Sequence, residues 1–263
     1  MRVFMLPPHY DGEDTIEIKG KDFHYLVNVL RLKEGSHITS RDKNGVFFEL
    51  TITSISQTSL FVNSIKKEDS YSSSTDSLSA YRGYFPEIHL FQGLPKGKKI
   101  EGIIRQCSEI GITSITPLIS TFCVADISKK EGNKITRYES IVKEALQQSS
   151  SPVMTRINNS VNIKDLMKSI KEPHRLLVLH QIPEENPVSL FSTIKALISE
   201  DDKAPIYVAI GPEGGFSDQE IDSLLAQHAK RVFLNTNILR TETAAIVSVA
   251  IIQQYIIDLL SHN

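Results

Sequence analysis

The sequence predicts an α/β protein: a small β-barrel, a polar linker, and then a larger domain built on a mostly parallel sheet. Three observations carry this expectation. Short alternating apolar runs separated by turn residues fill roughly the first 67 residues. A serine-rich stretch with no apolar periodicity follows at about 66–84, and from Glu87 onward strand-like runs alternate with helical ones. At 263 residues the chain exceeds the roughly 100–200 residues of one ordinary domain, so two cores are expected.

Taken in order, "RVFML" and "DTIEIKG" are the first two strands. "HITSRDKNGVFFELTITSISQTSLFVNSI" adds strands at 37–41, 46–55 and 60–65, with a turn on 42–45 that ends in glycine. Five such strands suffice to close a small barrel. "KDFHYLVNVLRLKEG" interrupts them with one short helix, for which Asp22 is the expected N-cap and Gly35 lies beyond the end. The barrel is expected over 1–70 and the linker over 71–84.

In the second domain, 85–263, "EIHLFQGL", "SITPLI", "LLVLH", "IYVAI" and "RVFLN" are strands. "KGKKIEGIIRQCSEIGI", "NKITRYESIVKEALQQSS", "PVSLFSTIKALISE", "SDQEIDSLLAQHA" and an apolar last segment are helices. Ser217 and Glu220 have the spacing of a capping box. Strands that alternate with helices pair in parallel, with helices covering both faces.

Composition narrows function by exclusion. A formal net charge of -2 argues against gripping nucleic acid by bulk electrostatics, so any such contact must come from local basic patches. Two cysteines, Cys107 and Cys123, give no disulfide framework and fit a reducing compartment. The amino terminus lacks a signal-peptide core and no stretch approaches about 18 uninterrupted apolar residues, so a cytoplasmic protein with no membrane partner is expected. The eight histidines show no zinc-type spacing, hence no metal is expected. G-x-G-x-x-G, a P-loop and G-x-S-x-G are all absent, which removes the common dinucleotide, nucleotide and esterase readings.

In open parallel sheets, ligands bind beyond the carboxyl ends of the strands. Three strand ends open onto unusual loops there: His180 with "QIPEENP", Gly211 to Gly215, and "NTNILRTET". Gly211, Gly214 and Gly215 around Pro212 and Glu213 permit close backbone approach to a ligand, although a tight strand-to-helix turn would explain glycines too. In "LRTET", Arg240 and Glu242 stand at the mouth of the most hydrophobic helix, where an unpaired charge is costly. They either serve a ligand, or Thr241 or Thr243 caps the helix while Arg240 bonds a carboxylate such as Glu242. "PKGKKIEGIIRQ" carries Lys96, Lys98, Lys99 and Arg105, and "HYLVNVLRLKEG" carries Arg31; these are either solvated surface or phosphate contacts.

Together "IGPEGGFSDQEI", "ILRTETAAI", "KGKKIEGIIRQCSEIGITSITPL" and "HYLVNVLRLKEG" resemble the RsmE family of 16S ribosomal RNA methyltransferases, of the SPOUT class, over nearly the whole chain. The resemblance implies an amino-terminal PUA-like barrel, a SPOUT-type parallel sheet ending in a trefoil knot, a homodimer, and S-adenosylmethionine as cofactor. It implies transfer of a methyl group to N3 of a uridine in the small ribosomal subunit. Carried over by position, the cofactor contacts are Leu179, His180, Ile210, Gly211, Pro212, Glu213, Gly214, Gly215, Leu234, Asn235, Ile238 and Leu239. Arg240 and Glu242 are then the catalytic candidates, and Arg31, Lys96, Lys98, Lys99 and Arg105 the RNA contacts.

Two departures are visible. The family pattern L-G-x-R-I-L-R has Asn235 and Asn237 in place of its Gly and first Arg, and E-Q-x-G-R reads Gln147, Gln148, Ser149, Ser150, Ser151. The absent arginines, at Asn237 and Ser151, bear on RNA placement rather than on the cofactor. A non-catalytic RNA-binding or ribosome-assembly protein, or another nucleotide-binding α/β enzyme, are the competing readings; the retained "LRTET" favours the methyltransferase.

Overall fold

The computed structural model of the chain describes residues 3–67, 85–123, 131–170, 175–180, 188–198 and 204–261. The linker expected at 71–84 lies outside them. The chain divides into two compact units, Met1–Arg82 with Leu146–Met154, and Gly83–Ala145 with Thr155–Asn263.

The first unit is a five-stranded sheet of β1 (Phe4–Met5), β2 (Thr15–Lys19), β3 (His37–Arg41), β4 (Phe47–Ile55) and β5 (Ser59–Lys66) in the order β1-β3-β4-β5-β2. Only β1 and β3 run parallel. Alternation turns Ile16, Ile18, Leu50, Ile52, Leu60 and Val62 inward, where they share one core with Phe4 of the opposite edge and Leu26. The turn at 42–45 forms because Asp42 Oδ1 accepts the backbone N–H groups of Asn44 (2.9 Å) and Val46 (2.8 Å), and Gly45 supplies a φ of 87°.

The helix between β2 and β3 differs from expectation. Lys19, not Asp22, occupies the N-cap position of α1 (Gly20–His24), with no side-chain cap bond. The cause is that β2 runs straight into the helix through Gly20, whose φ of 62° makes the turn. Asp22 falls in the first turn, where its charge still complements the helix dipole. The chain then widens into one π-helical stretch, Tyr25–Val29, and stops at Arg31, an exposed non-glycine residue at φ 56°.

The second unit begins with β6 (Ile88–Gly93), α2 (Lys99–Ile110), β7 (Ser114–Ile119) and α3 (Glu131–Ser149). Two-residue strands β8 (Arg156–Ile157) and β9 (Val161–Asn162) and a 3-10 helix (Ile163–Ser169) follow. The expected alternation missed these, because strands so short carry no periodicity. The chain continues through β10 (Arg175–Leu179), α4 (Leu190–Leu197), β11 (Ile206–Ile210), α5 (Asp218–Leu225), β12 (Lys230–Val232) and α6 (Thr241–Ser261). Every pairing is parallel, in the order β12-β10-β11-β6-β7-β8, with β9 also on β7. The carboxyl ends of β12, β10, β11 and β6 therefore form one continuous rim.

Phe91, Leu176, Val178, Tyr207 and Ala209 pack with Leu166 of the 3-10 helix and Ile221 and Leu224 of α5. The pleat turns alternate residues such as Leu90, Leu177 and Val208 to the other face, and α6 packs on β6 and β11 between α2 and α4. The capping box of α5 forms as expected, with Ser217 Oγ and Glu220 satisfying each other's backbone N–H groups. By length and composition α6 could cross a membrane, with a mean hydropathy of 1.7 over residues 241–260. Its packing on α2 and the bond from Gln253 Nε2 to Ile110 O (2.8 Å) mark it as a core helix here.

One assignment could not be read from the chain order. The end of α3 and the residues after it, 146–154, group with the first unit, not the second. Ser150 closes the helix at φ 56°, and the buried Arg41 donates from Nη1 to Ser151 O (2.6 Å), from Nη2 to Pro152 O and from Nε to Gly45 O (3.2 Å). One guanidinium thus satisfies three carbonyls and ties this segment to the end of β3.

Candidate functional site

The rim is held together by hydrogen bonds that link two strand ends to the start of α6. Gln92, fully buried near the end of β6, donates from Nε2 to Gly93 O (2.8 Å) and to Thr241 Oγ1 (2.9 Å). Thr241 Oγ1 in turn donates to Gly211 O at 2.6 Å. This chain of bonds joins β6, the loop after β11 and the first residue of α6. It also decides the role of Thr241: the hydroxyl is spent on the rim rather than on capping the helix. Gln92 Oε1 is buried with no hydrogen-bond partner among the described residues.

The loop after β11 approaches its neighbours more closely than any side chain would allow. A Cβ on Gly93 would lie 2.4 Å from Pro212 N, and one on Gly211 2.8 Å from Gly215 C. Gly215 takes a φ of 70°, and its N–H donates to Pro212 O (2.9 Å). A Cβ on Gly214 would meet Phe122 Cβ at 2.8 Å, so the half-exposed Phe122, after β7, lies against the same loop. That turn is fixed by the Thr121 N–H, which donates to Glu220 Oε1 at 2.8 Å.

Charge is arranged around Lys99, the first residue of α2. Its Nζ lies 2.9 Å from Glu213 Oε1 and 3.5 Å from Glu242 Oε2. Among the described residues the latter atom has no hydrogen-bond partner, so that contact is ionic only. The Lys96 N–H also donates to Glu213 (3.2 Å). Partial burial works to raise the Glu213 carboxyl, but Lys99 and the backbone donors outweigh it and the group sits below the usual carboxylate range. The bond to Glu213 holds Lys99 above its ordinary value.

Arg240 is exposed, with no side-chain partner among the described residues, and Glu242 turns to Lys99 instead. The simple pairing of the two, one of the readings left open by the sequence, is not formed. Its backbone carbonyl accepts the Ala244 N–H (2.8 Å) and so begins α6. Between β12 and Arg240 the chain is open: Asn235 is exposed, Ile238 is 82 % exposed, and Leu234 and Leu239 are half-buried. At the end of β10, Leu179 and His180 are half-buried, and the His180 N–H donates to Val232 O (3.2 Å). Burial, reinforced by Arg231 and opposed by Asp218, pushes the His180 imidazole below its ordinary pKa.

Of the expected site residues, the structure thus brings Gly211 to Gly215, Glu242, Lys96 and Lys99 into direct contact, and places Leu179, His180, Ile210, Leu234 and Arg240 on the same rim. Lys98 and Arg105 are exposed on α2 and its start, and Arg31 is exposed in the first unit. Gln92 was missed; its signal was a lone amide in the apolar strand "IHLFQG". Among the described residues no cluster of metal-binding side chains occurs.

The profile of the RNA methyltransferase domain matches residues 84–253, and that of the RNA methyltransferase PUA domain matches 18–63. The ribosomal RNA small subunit methyltransferase E 2 of Borreliella burgdorferi is 31% identical over 242 residues, covering 91% of this chain and 90% of that one. The ribosomal RNA small subunit methyltransferase E of Bacillus subtilis is 27% identical over 240 residues, covering 90% and 89%. A crystal structure of a ribosomal RNA small subunit methyltransferase E from Neisseria gonorrhoeae bound to S-adenosyl methionine superposes with a TM-score of 0.78 at 22% identity, covering 97% of each chain. The chain belongs to the ribosomal RNA small subunit methyltransferase E family.

Proposed function

We propose that this chain transfers a methyl group from S-adenosylmethionine to N3 of a uridine in small-subunit ribosomal RNA. The observation that carries the reading is the joining of the "GPEGG" and "LRTET" segments on one rim through Thr241 and Gly211. The relatives named as small-subunit methyltransferases support the substrate.

The residues present fit the cofactor. Gly93 and Gly211 leave no room for side chains, so the backbone of the 211–215 loop packs directly on β6 and on itself and its turn is fixed beside the strand ends. Leu179, Ile210, Leu234, Leu239 and the uncovered Ile238 offer apolar walls, with Asn235 beside them. When bound, S-adenosylmethionine supplies an electrophilic methyl group. The loops hold and orient it, and the work left to the chain is alignment and stabilisation of charge. Arg240, exposed and without a side-chain partner among the described residues, stabilises the negative charge that develops on the uracil oxygens as N3 loses its proton. Glu213, held below the usual carboxylate range, is a poor proton acceptor, so its role is to bind Lys99. A paired uridine cannot present N3, so the target base is unpaired or flipped out.

The first unit, with its PUA-type profile, is the RNA-binding barrel over 1–70, and 85–263 is the SPOUT domain. The chain from β12, at the sheet edge, to Thr241, beside β6 and β11, passes over the rim; that crossing supports a trefoil knot. A homodimer is supported by the open groove of about 470 Å³ between α4 and α6, lined by Phe191, Ile251, Tyr255 and Ile257. With a net charge of -2, the assembled small subunit in the cytoplasm is the preferred substrate, since shape and protein contacts must supplement weak phosphate binding. Tritiated S-adenosylmethionine should label RNA in unmethylated small subunits faster than the same RNA free of protein. Equal rates would reject the substrate preference, and no label in either would reject the reading.

A further inference from the structure

The geometry points to Lys99 as a positioning residue that sets the distance between the cofactor loop and Arg240 by pairing with Glu213 and Glu242 together. This rests on the methyl-transfer reading of the rim. Glu213 belongs to the loop after β11, Glu242 to the first turn of α6, two residues past Arg240, and Lys99 to the start of α2. The ammonium is 2.9 Å from one carboxylate and 3.5 Å from the other, and the Lys96 N–H holds Glu213 from the same helix start. Both carboxylates are partly covered, with side chains 30% and 26% exposed. Two such charges side by side repel when no cation stands between them.

The ordinary reading of a lysine in "PKGKK" is a phosphate contact, and Lys96 and Lys98 remain free to serve as one. Lys99 is differently placed: its charge is already matched by two carboxylates, so a phosphate would have to displace them. Without the ammonium, the Thr241–Gly211 bond still joins the loop to α6, but the repelling carboxylates push the Glu213 end of the 211–215 loop away from the first turn of α6, and the loop that orients the cofactor shifts relative to Arg240. The effect falls on cofactor affinity and on turnover, not on RNA affinity.

The test uses full-length protein with Lys99→Met, Lys99→Arg, and Lys99→Met combined with Glu213→Gln. Lys99→Met should weaken S-adenosylmethionine binding by roughly tenfold, the loss of about one charge-assisted hydrogen bond, as read by titration calorimetry. It should lower kcat on small subunits while leaving their KM and its salt dependence unchanged. Lys99→Arg should restore most of both, and adding Glu213→Gln to Lys99→Met should recover affinity by removing one of the repelling charges. The opposite pattern overturns the inference: unchanged cofactor affinity, a raised KM, and a salt slope reduced by about one, the signature of a lost phosphate contact. Failure of the double variant to bind more tightly than Lys99→Met also overturns it. If the unaltered protein binds no cofactor, the methyl-transfer reading itself fails.

Discussion

Gly93→Ala is the most searching perturbation of the rim, because a single methyl group tests whether the 211–215 loop must lie against β6. The added Cβ would sit 2.4 Å from Pro212 N, 2.6 Å from Pro212 Cδ and 2.7 Å from Gly211 C. Ordinary contact begins near 3.4 Å, so the loop backbone must retreat by about 1 Å. No positive φ complicates the substitution, so the effect is steric alone. Overpacking of this kind costs about 1–3 kcal/mol of stability. A displacement near 1 Å in a positioning loop costs up to about a hundredfold in rate. Denaturant unfolding should show the stability loss, calorimetry a weakened S-adenosylmethionine affinity, and label transfer to small subunits a larger fall in kcat. A variant with wild-type cofactor affinity and turnover would refute the claim that this close approach shapes the site.

Three further outcomes are expected. Thr241→Val strands Gly211 O and one bond of Gln92, so it should destabilise by about 1–3 kcal/mol in denaturant titration, whereas Thr241→Ser should not; equal effects would show that the hydroxyl is not what matters. Ser150→Gly relieves a left-handed serine at the end of α3 and should raise stability by roughly 1 kcal/mol; no gain would mean that its surroundings hold that conformation without strain. Because the His180 pKa is lower folded than unfolded, unfolding takes up a proton between the two values. Its contribution is complete above the unfolded value of 6.5 and is lost as pH falls from there toward the folded value. The stability difference between pH 7.5 and 5.5 should therefore shrink in His180→Gln, and an unchanged difference would contradict the burial of that ring.

What the sequence made legible was mostly local. The capping box of Ser217 and Glu220, the Asp42 turn and the strands of "IYVAI" and "LLVLH" follow from side chains close in the chain, or from burial on both faces. The two loops were legible as candidates because glycines and an arginine stood beside apolar strands and helices. What joins them was not. Gln92, Thr241 and Gly211 meet only because β6 and β11 are neighbours in the sheet, a pairing that chain order does not dictate. Lys99 read as one lysine among several until the fold set two distant glutamates around it. The grouping of 146–154 with the first unit likewise brings that segment onto Arg41, more than a hundred residues earlier, a contact no local pattern signals. Strands β8 and β9 were illegible for a simpler reason, since two residues have no period.

Delivery of a methyl group by the rim to N3 of a uridine is read straight from the identity of the product. Unmethylated small ribosomal subunits incubated with the protein and S-adenosylmethionine would be digested to nucleosides and analysed by mass spectrometry. The expected product is 3-methyluridine from a single position, strongly reduced with Arg240→Ala. A methyl group on any other atom or base, or no product from protein that binds the cofactor, would contradict it.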